Sequence, residues 1–105
     1  MITFEEFSKV DLKVAKIISA AQVEGSEKLL QLKVSLGSEE RQIIAGIGKR
    51  YTPEALIGQE VVIVANLEPR ILMGLESQGM LLAANHEGPV FLKPEKEVLP
   101  GASIQ

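Results

Sequence analysis

The sequence contains no cysteine and a single histidine, His86. Without thiols there are no disulfides, no thiolate metal sites and no cysteine nucleophile, and the absence fits a reducing cytosol. One histidine cannot supply a histidine cluster for a metal, nor a serine–histidine–aspartate set with a spare, and ahead of Glu87-Gly88-Pro89 it reads as a loop residue. Aromatic residues are scarce, with three Phe, one Tyr and no Trp, so any mode of binding that needs several stacking rings starts at a disadvantage. No apolar stretch approaches the roughly 20 residues that span a bilayer. The N-terminus, MITFEEFSKV, lacks the basic stretch and apolar run of a signal peptide. A soluble, cytoplasmic protein without a membrane partner is the expectation. Gly46-Ile47-Gly48-Lys49 lacks the spacing of a phosphate loop, and the glutamates are scattered rather than paired for acid–base work. The sequence therefore argues against an enzyme, and no catalytic residue, metal or cofactor is expected.

What is present suits one domain. A chain of 105 residues is long enough for a real core and too short for two. The net charge of −3 argues at first against a nucleic-acid ligand, but the charges are unevenly spread. Between Lys9 and Arg50, six Lys and two Arg face Asp11 and four Glu, a surplus of three positive charges. Elsewhere Arg70, Lys93 and Lys96 face nine Glu. An acidic protein with that distribution has room for a local basic face.

Thr3-Phe4-Glu5-Glu6 is a capping box, with Thr3 as N-cap and Glu6 reaching back. It predicts a short helix over Phe4–Ser8, with Ile2 and Phe7 as a hydrophobic staple. Such a helix is too short to stand alone, so its phenylalanines must pack on something. Asp11–Val23 reads as a long, bent strand, and Gly25-Ser26-Glu27 as a turn. Leu30, Leu32, Val34 and Leu36 alternate with Gln31, Lys33 and Ser35, a period of two. Gly37-Ser38 then turns the chain into Arg41–Ile47, and the two strands form a hairpin. Thr52 as N-cap, Pro53 at the first helical position and Gly58 past the end predict one helical turn. Glu60–Leu67 and Gly79–Asn85 are the fourth and fifth strands, followed by a proline-punctuated tail.

Five strands with a short helix between the third and fourth is the order of an oligonucleotide/oligosaccharide-binding (OB) barrel. The fold class expected is therefore all-β with short helices, an N-terminal helical turn and a C-terminal extension. An SH3-like barrel is the rival, and the helix between strands three and four favours the OB reading. The connector within Val61–Ala84 exceeds what a turn needs: besides Asn66, Pro69, Gly74 and Gly79 it carries Arg70, Ser77 and Gln78.

Several segments carry a family likeness. Phe7-Ser8-Lys9-Val10-Asp11-Leu12-Lys13-Val14, Glu24 through Leu30, Tyr51 through Gly58, and above all Ala65-Asn66-Leu67-Glu68-Pro69-Arg70 with Glu76-Ser77-Gln78-Gly79-Met80 resemble the tRNA-binding domain at the C-terminus of methionyl-tRNA synthetases. Stand-alone dimeric tRNA-binding proteins and the endothelial-monocyte-activating polypeptide domain share the module. The resemblance covers essentially the whole chain. It implies an OB barrel that binds tRNA without selecting one amino-acid identity, performs no chemistry, and raises a synthetase's hold on tRNA. It also implies a homodimer built on the N-terminal helix region and the C-terminal extension, which here carry Phe4, Phe7, Phe91, Leu92, Val98 and Ile104. Burial of these side chains on their own barrel is the alternative. Met1 opens directly onto the family-like start, which suits a free protein or an excised synthetase domain equally. A related dimeric secretion chaperone that binds unfolded polypeptides is the competing functional reading.

None of the four aromatic residues falls in strands two or three, so base stacking on that sheet cannot dominate binding. Phosphate and sugar contact with a folded RNA, salt-sensitive and read by shape, is the mode left. Lys28 and Lys33, with Lys13 and Lys16 on the neighbouring strand, are candidates for one basic flank. Arg41, Lys49 and Arg50 are candidates whose alternative is a solvated charge. Arg70 follows Pro69 and suits a phosphate, its alternative being an ion pair with Glu68 or Glu76. Asn66 and Ser77 can bond RNA or close their own loop, and Met80, at a position implicated in the family, can pack on a ribose or base or sit in the core.

Overall fold

The computed structural model of the protein describes every residue from Met1 to Gln105. The N-terminal helix α1 (Phe4–Phe7) is capped as expected: the Thr3 hydroxyl accepts the Glu6 N–H at 3.1 Å, and the Glu6 carboxylate accepts the Thr3 N–H at 3.2 Å. Yet α1 buries nothing. Phe4 is 83% exposed, and Ile2 and Phe7 are exposed as well, so the packing anticipated for the phenylalanines does not come from this chain's own barrel.

The strands that follow are β1 (Leu12–Gln22), β2 (Leu30–Ser35) and β3 (Glu40–Ala45). Helix α2 (Pro53–Leu56) separates them from β4 (Glu60–Val64), β5 (Arg70–Leu72), β6 (Leu75–Ser77), β7 (Met80–Leu81), β8 (Ala83–Asn85) and β9 (Pro89–Phe91). Five of these form one antiparallel sheet in the order β3-β2-β1-β4-β7. The sheet curls until β3 approaches β7, giving the nearly closed OB barrel with its short helix between the third and fourth strands.

The bend expected in β1 is a bulge. Ile17 pairs with Val34 and Ser19 with Lys33, leaving Ile18 as the extra residue. Side chains on either side of it keep their faces. Ala15, Ile17, Leu32, Val34, Ile43 and Ile63 point into the core, and Leu56 of α2 joins them. Thr52 makes no side-chain cap to α2, so Pro53 at its start and the buried Leu56 define that turn instead.

The tail is structured. Gly101 N–H donates to Val14 O and Ile104 N–H to Leu12 O, so the chain end runs beside the part of β1 that β2 leaves unpaired. Gly101 has φ +91°, and a Cβ there would lie 2.2 Å from Leu36 O, so only glycine fits. The buried Glu60 anchors the tail by accepting Val98 N–H at 2.9 Å.

Two expectations need correction. The fifth strand is not continuous over Gly79–Asn85: β7 pairs with β4, whereas β8 pairs with β9. The connector after β4 is not a plain loop but contains the β5–β6 hairpin. Its two-residue turn, Met73-Gly74, has positive φ at both positions (52° and 79°), the backbone that matches the twist of paired strands. Methionine in the place usually held by Asn or Asp hid that hairpin from a sequence reading.

Candidate nucleic-acid interface

The β5–β6 hairpin is docked onto the outer edge of β3 by polar contacts. Gln42 is the centre of the joint. Its backbone N–H donates to Gln78 Oε1 (2.9 Å), its carbonyl accepts Gln78 N–H (2.8 Å), and its side-chain amide donates to Glu76 O (2.8 Å). Gln31 Nε2 in turn donates to Gln42 Oε1 at 2.8 Å. Ser77 seals the joint from inside: its hydroxyl accepts Ile44 N–H at 3.0 Å and donates to Gly79 O at 2.9 Å. Gly79, at φ +143°, lets the chain pass Val64 O, which a Cβ would approach to 2.9 Å.

Docking the hairpin creates a trough that runs from the outer face of β2 and β3 to the end of β3, where the β1–β2 loop, the hairpin and the β7–β9 segment wall it. A cleft of about 370 Å³ lies there, with Lys28 from the loop, Ile44 from β3, Arg70 and Leu72 from the hairpin, and Met80 from β7 among its walls. Beside it is a smaller depression of about 210 Å³ containing Lys33, Ser19 and Gln42. Lys28 and Arg70 line the cleft, Lys33 lines the depression, and neither lining contains a carboxylate. Neither Lys28 nor Arg70 forms an ion pair; the pairs in the molecule are Lys13–Asp11 and Arg41–Glu39. The alternative partners of Arg70, Glu68 and Glu76, do not engage it. Lys28 is also held low: a Cβ at Gly46 would meet its Cε at 2.7 Å, so the bare backbone of Gly46 gives the lysine stem its path.

The nine candidate contact residues thus fall into groups. Lys28, Arg70 and Met80 come together on the cleft, with Lys33 next to it. Lys16 shares the outer face with Lys33, whereas the strand alternation turns Lys13 to the opposite face, where it pairs with Asp11 at 3.9 Å. Lys49 and Arg50 are exposed just past the end of β3, and the Arg50 guanidinium lies 5.8 Å from the Tyr51 ring centroid. The other three are engaged in the framework. Arg41 donates to Ala65 O and Gln78 O and pairs with Glu39. Asn66 accepts Asp11 N–H at 2.8 Å and donates to Lys9 O at 2.7 Å, tying the exit of α1 to the end of β4. Ser77 is only 4% exposed, with its hydroxyl occupied on both sides.

The segments expected at a subunit contact also divide. Phe4, Phe7 and Ile104 surround a separate groove of about 400 Å³ with Val10 and Leu12. Phe91 turns onto its own barrel, 5.0 Å from Tyr51 between ring centroids, and Val98 is half-buried, while Leu92 is exposed. Sequence reasoning did not find Gln31, Gln42, Ile44 or Leu72. The outward alternation of Gln31 and Gln42 was legible, but not the hairpin that gives them their task.

The family described as "Putative tRNA binding domain" matches residues 12–103. The chain belongs to that family. It is 56% identical to the methionine–tRNA ligase of Caldanaerobacter subterraneus subsp. tengcongensis over 98% of its own length and 16% of that protein's. The chain therefore spans about a sixth of the length of the curated relatives it matches. Among solved structures, the MetRS-related protein from Pyrococcus horikoshii superposes with a TM-score of 0.91 at 38% identity, covering 100% of this chain and 98% of that one. Chaperone CsaA from Bacillus anthracis also superposes with a TM-score of 0.91, at 31% identity, covering 100% and 99%. No helix in this tRNA-binding domain is long and apolar enough to cross a membrane.

Proposed function

We propose that the protein is a noncatalytic tRNA-binding module. It acts as the C-terminal domain of a methionyl-tRNA synthetase, or as a free cytoplasmic subunit beside one, and strengthens that enzyme's hold on tRNA for aminoacylation. The observation that carries this reading is the trough. A protein of net charge −3 gathers Lys28, Lys33 and Arg70 on one face, unpaired and with no carboxylate among them. Such a face attracts a polyanion locally while the remainder of the surface repels it, which confines the ligand to one orientation. Lys49 and Arg50 extend the positive charge beyond the end of β3. Contacts of this kind go to phosphates and riboses, carry little sequence information and weaken with salt. Arg41 and Ser77 hold the segment after β6 that walls the trough, and Asn66 ties the exit of α1 to the end of β4, so the polar atoms of all three serve the framework rather than the RNA.

The same reading includes a homodimer. Phe4, Phe7 and Ile104 line one apolar groove at the meeting point of the chain's two ends, and the exposure of Phe4 is hard to account for in an isolated monomer. A second reading, capture of unfolded polypeptides, draws on the likeness to chaperone CsaA. Greater identity over the whole chain to a methionine–tRNA ligase, together with the unpaired cations, favours tRNA.

Fluorescence anisotropy with unfractionated tRNA, at about 50 and 200 mM salt, tests the proposal. Binding at the lower salt that falls steeply at the higher is expected. No binding at low salt, with suppression of aggregation of an unfolded protein, would transfer the assignment to the chaperone reading.

A further inference from the structure

The cleft is not merely a charged surface. We propose that it seats a single unpaired nucleobase of a folded RNA, an inference that rests on the tRNA-binding reading and specifies the ligand element at its centre. At about 370 Å³ it falls at the small end of ligand pockets, roughly 300–1,000 Å³. Its walls are dominated by Ile44, Leu72, Met80 and Leu81, while Lys28 and Arg70 stand beside them. That alternation, an apolar seat between two cations, matches the chemistry of one nucleotide: a flat, weakly polar base with an anionic phosphate on either side. A base inside a duplex cannot reach such a seat, because its faces are stacked and its edges paired; an extruded one can.

The lining also answers a difficulty of this chain. Other single-strand binders cover a base with aromatic rings, and none stands on this face. Methionine and branched aliphatic side chains take their place, the thioether of Met80 being polarisable and adaptable against a π-face. The end of the seat is bounded as well. The hairpin tip leans toward the β1–β2 turn, where a Cβ at Gly25 would lie 3.4 Å from Met73 Cε.

A polypeptide is the other class of occupant an apolar cleft admits. Two unpaired cations with no carboxylate among the lining residues favour an anionic ligand over a neutral apolar one.

Three RNA hairpins with the same stem separate the outcomes: one with a single bulged 2-aminopurine, one with an abasic site at the bulge, and one fully paired. The bulged RNA should bind about tenfold more tightly than the abasic one, with a change in 2-aminopurine emission on binding. Met80→Ala should remove most of that difference. Equal affinity of the wild-type protein for bulged and abasic RNA, with unfractionated tRNA still bound, overturns the base seat and leaves the tRNA reading intact. Loss of binding to every RNA, tRNA included, overturns both. Displacement of the bulged RNA by reduced, carboxymethylated lactalbumin, abolished by Met80→Ala, would make the cleft a polypeptide site and overturn the proposal in favour of that occupant.

Discussion

Replacing Ser77 with alanine separates a framework role from a ligand role. The hydroxyl accepts the N–H of Ile44 and donates to the carbonyl of Gly79. Ile44 is buried, and no water can easily replace the lost acceptor. A buried donor left without a partner costs about 1–3 kcal/mol, and the modest hydrogen bond to Gly79 adds to it. Cavity formation adds little, because Ser and Ala differ by one oxygen atom. The expected loss is about 2 kcal/mol, which for a domain of this size lowers Tm by roughly 8–16 °C. Thermal and urea unfolding followed by circular dichroism measure it. At a temperature where both proteins are folded, tRNA affinity should fall by less than about threefold, since the hydroxyl does not face the trough. A stability change below about 0.5 kcal/mol together with a tenfold loss of tRNA affinity would refute the reasoning, because that is the pattern of a hydroxyl bonded to RNA.

Arg70→Ala and Lys28→Ala should each weaken tRNA binding and reduce the slope of log affinity against log salt by about one; unfolding curves that match wild type would confirm that the effect lies in binding. Gly101→Ala combines an unfavourable positive φ with a collision against Leu36 O, so it should destabilise the fold by about 2 kcal/mol or more, read as a lower urea midpoint. Phe4→Ser combined with Phe7→Ser removes exposed apolar surface and no core contact, and should convert a dimer to a monomer in sedimentation equilibrium without lowering the monomer's intrinsic stability. Gly46→Ala should cost tRNA affinity about as much as Lys28→Ala does, because the added methyl displaces the lysine stem.

Much of the molecule is legible in its sequence. The capping box of Thr3 and Glu6, the alternation from Leu30 to Leu36 and the Pro53–Gly58 turn are local signals, each set by interactions within a few residues. Their order along the chain was enough to indicate an OB barrel, and the absence of aromatics from the second and third strands ruled out a stacking sheet. The residue types of the basic face could also be named, since Lys28, Lys33 and Arg70 stand in turns or at outward positions of strands.

Which of the nine candidates share a site was not a local matter. Arg41, Ser77 and Asn66 looked as able to meet RNA as Lys28 or Arg70, and nothing within a few residues of any of them distinguishes the two groups. The distinction comes from partners far along the chain: Ser77 bonds Ile44, Arg41 bonds Ala65, and Asn66 bonds Lys9 and Asp11. The first exists only once β3 and the β5–β6 hairpin are side by side, and the others only once the end of β4 has met β3 and the exit of α1. Tertiary closure consumes some polar side chains to satisfy backbone groups that it buries and leaves others free for a ligand. The sequence alone determined the barrel and its supply of positive charge, because both follow from short-range patterns and composition. Only the folded structure decided which charges remain available and that they surround an apolar seat, because availability is whatever long-range hydrogen bonding has not already claimed.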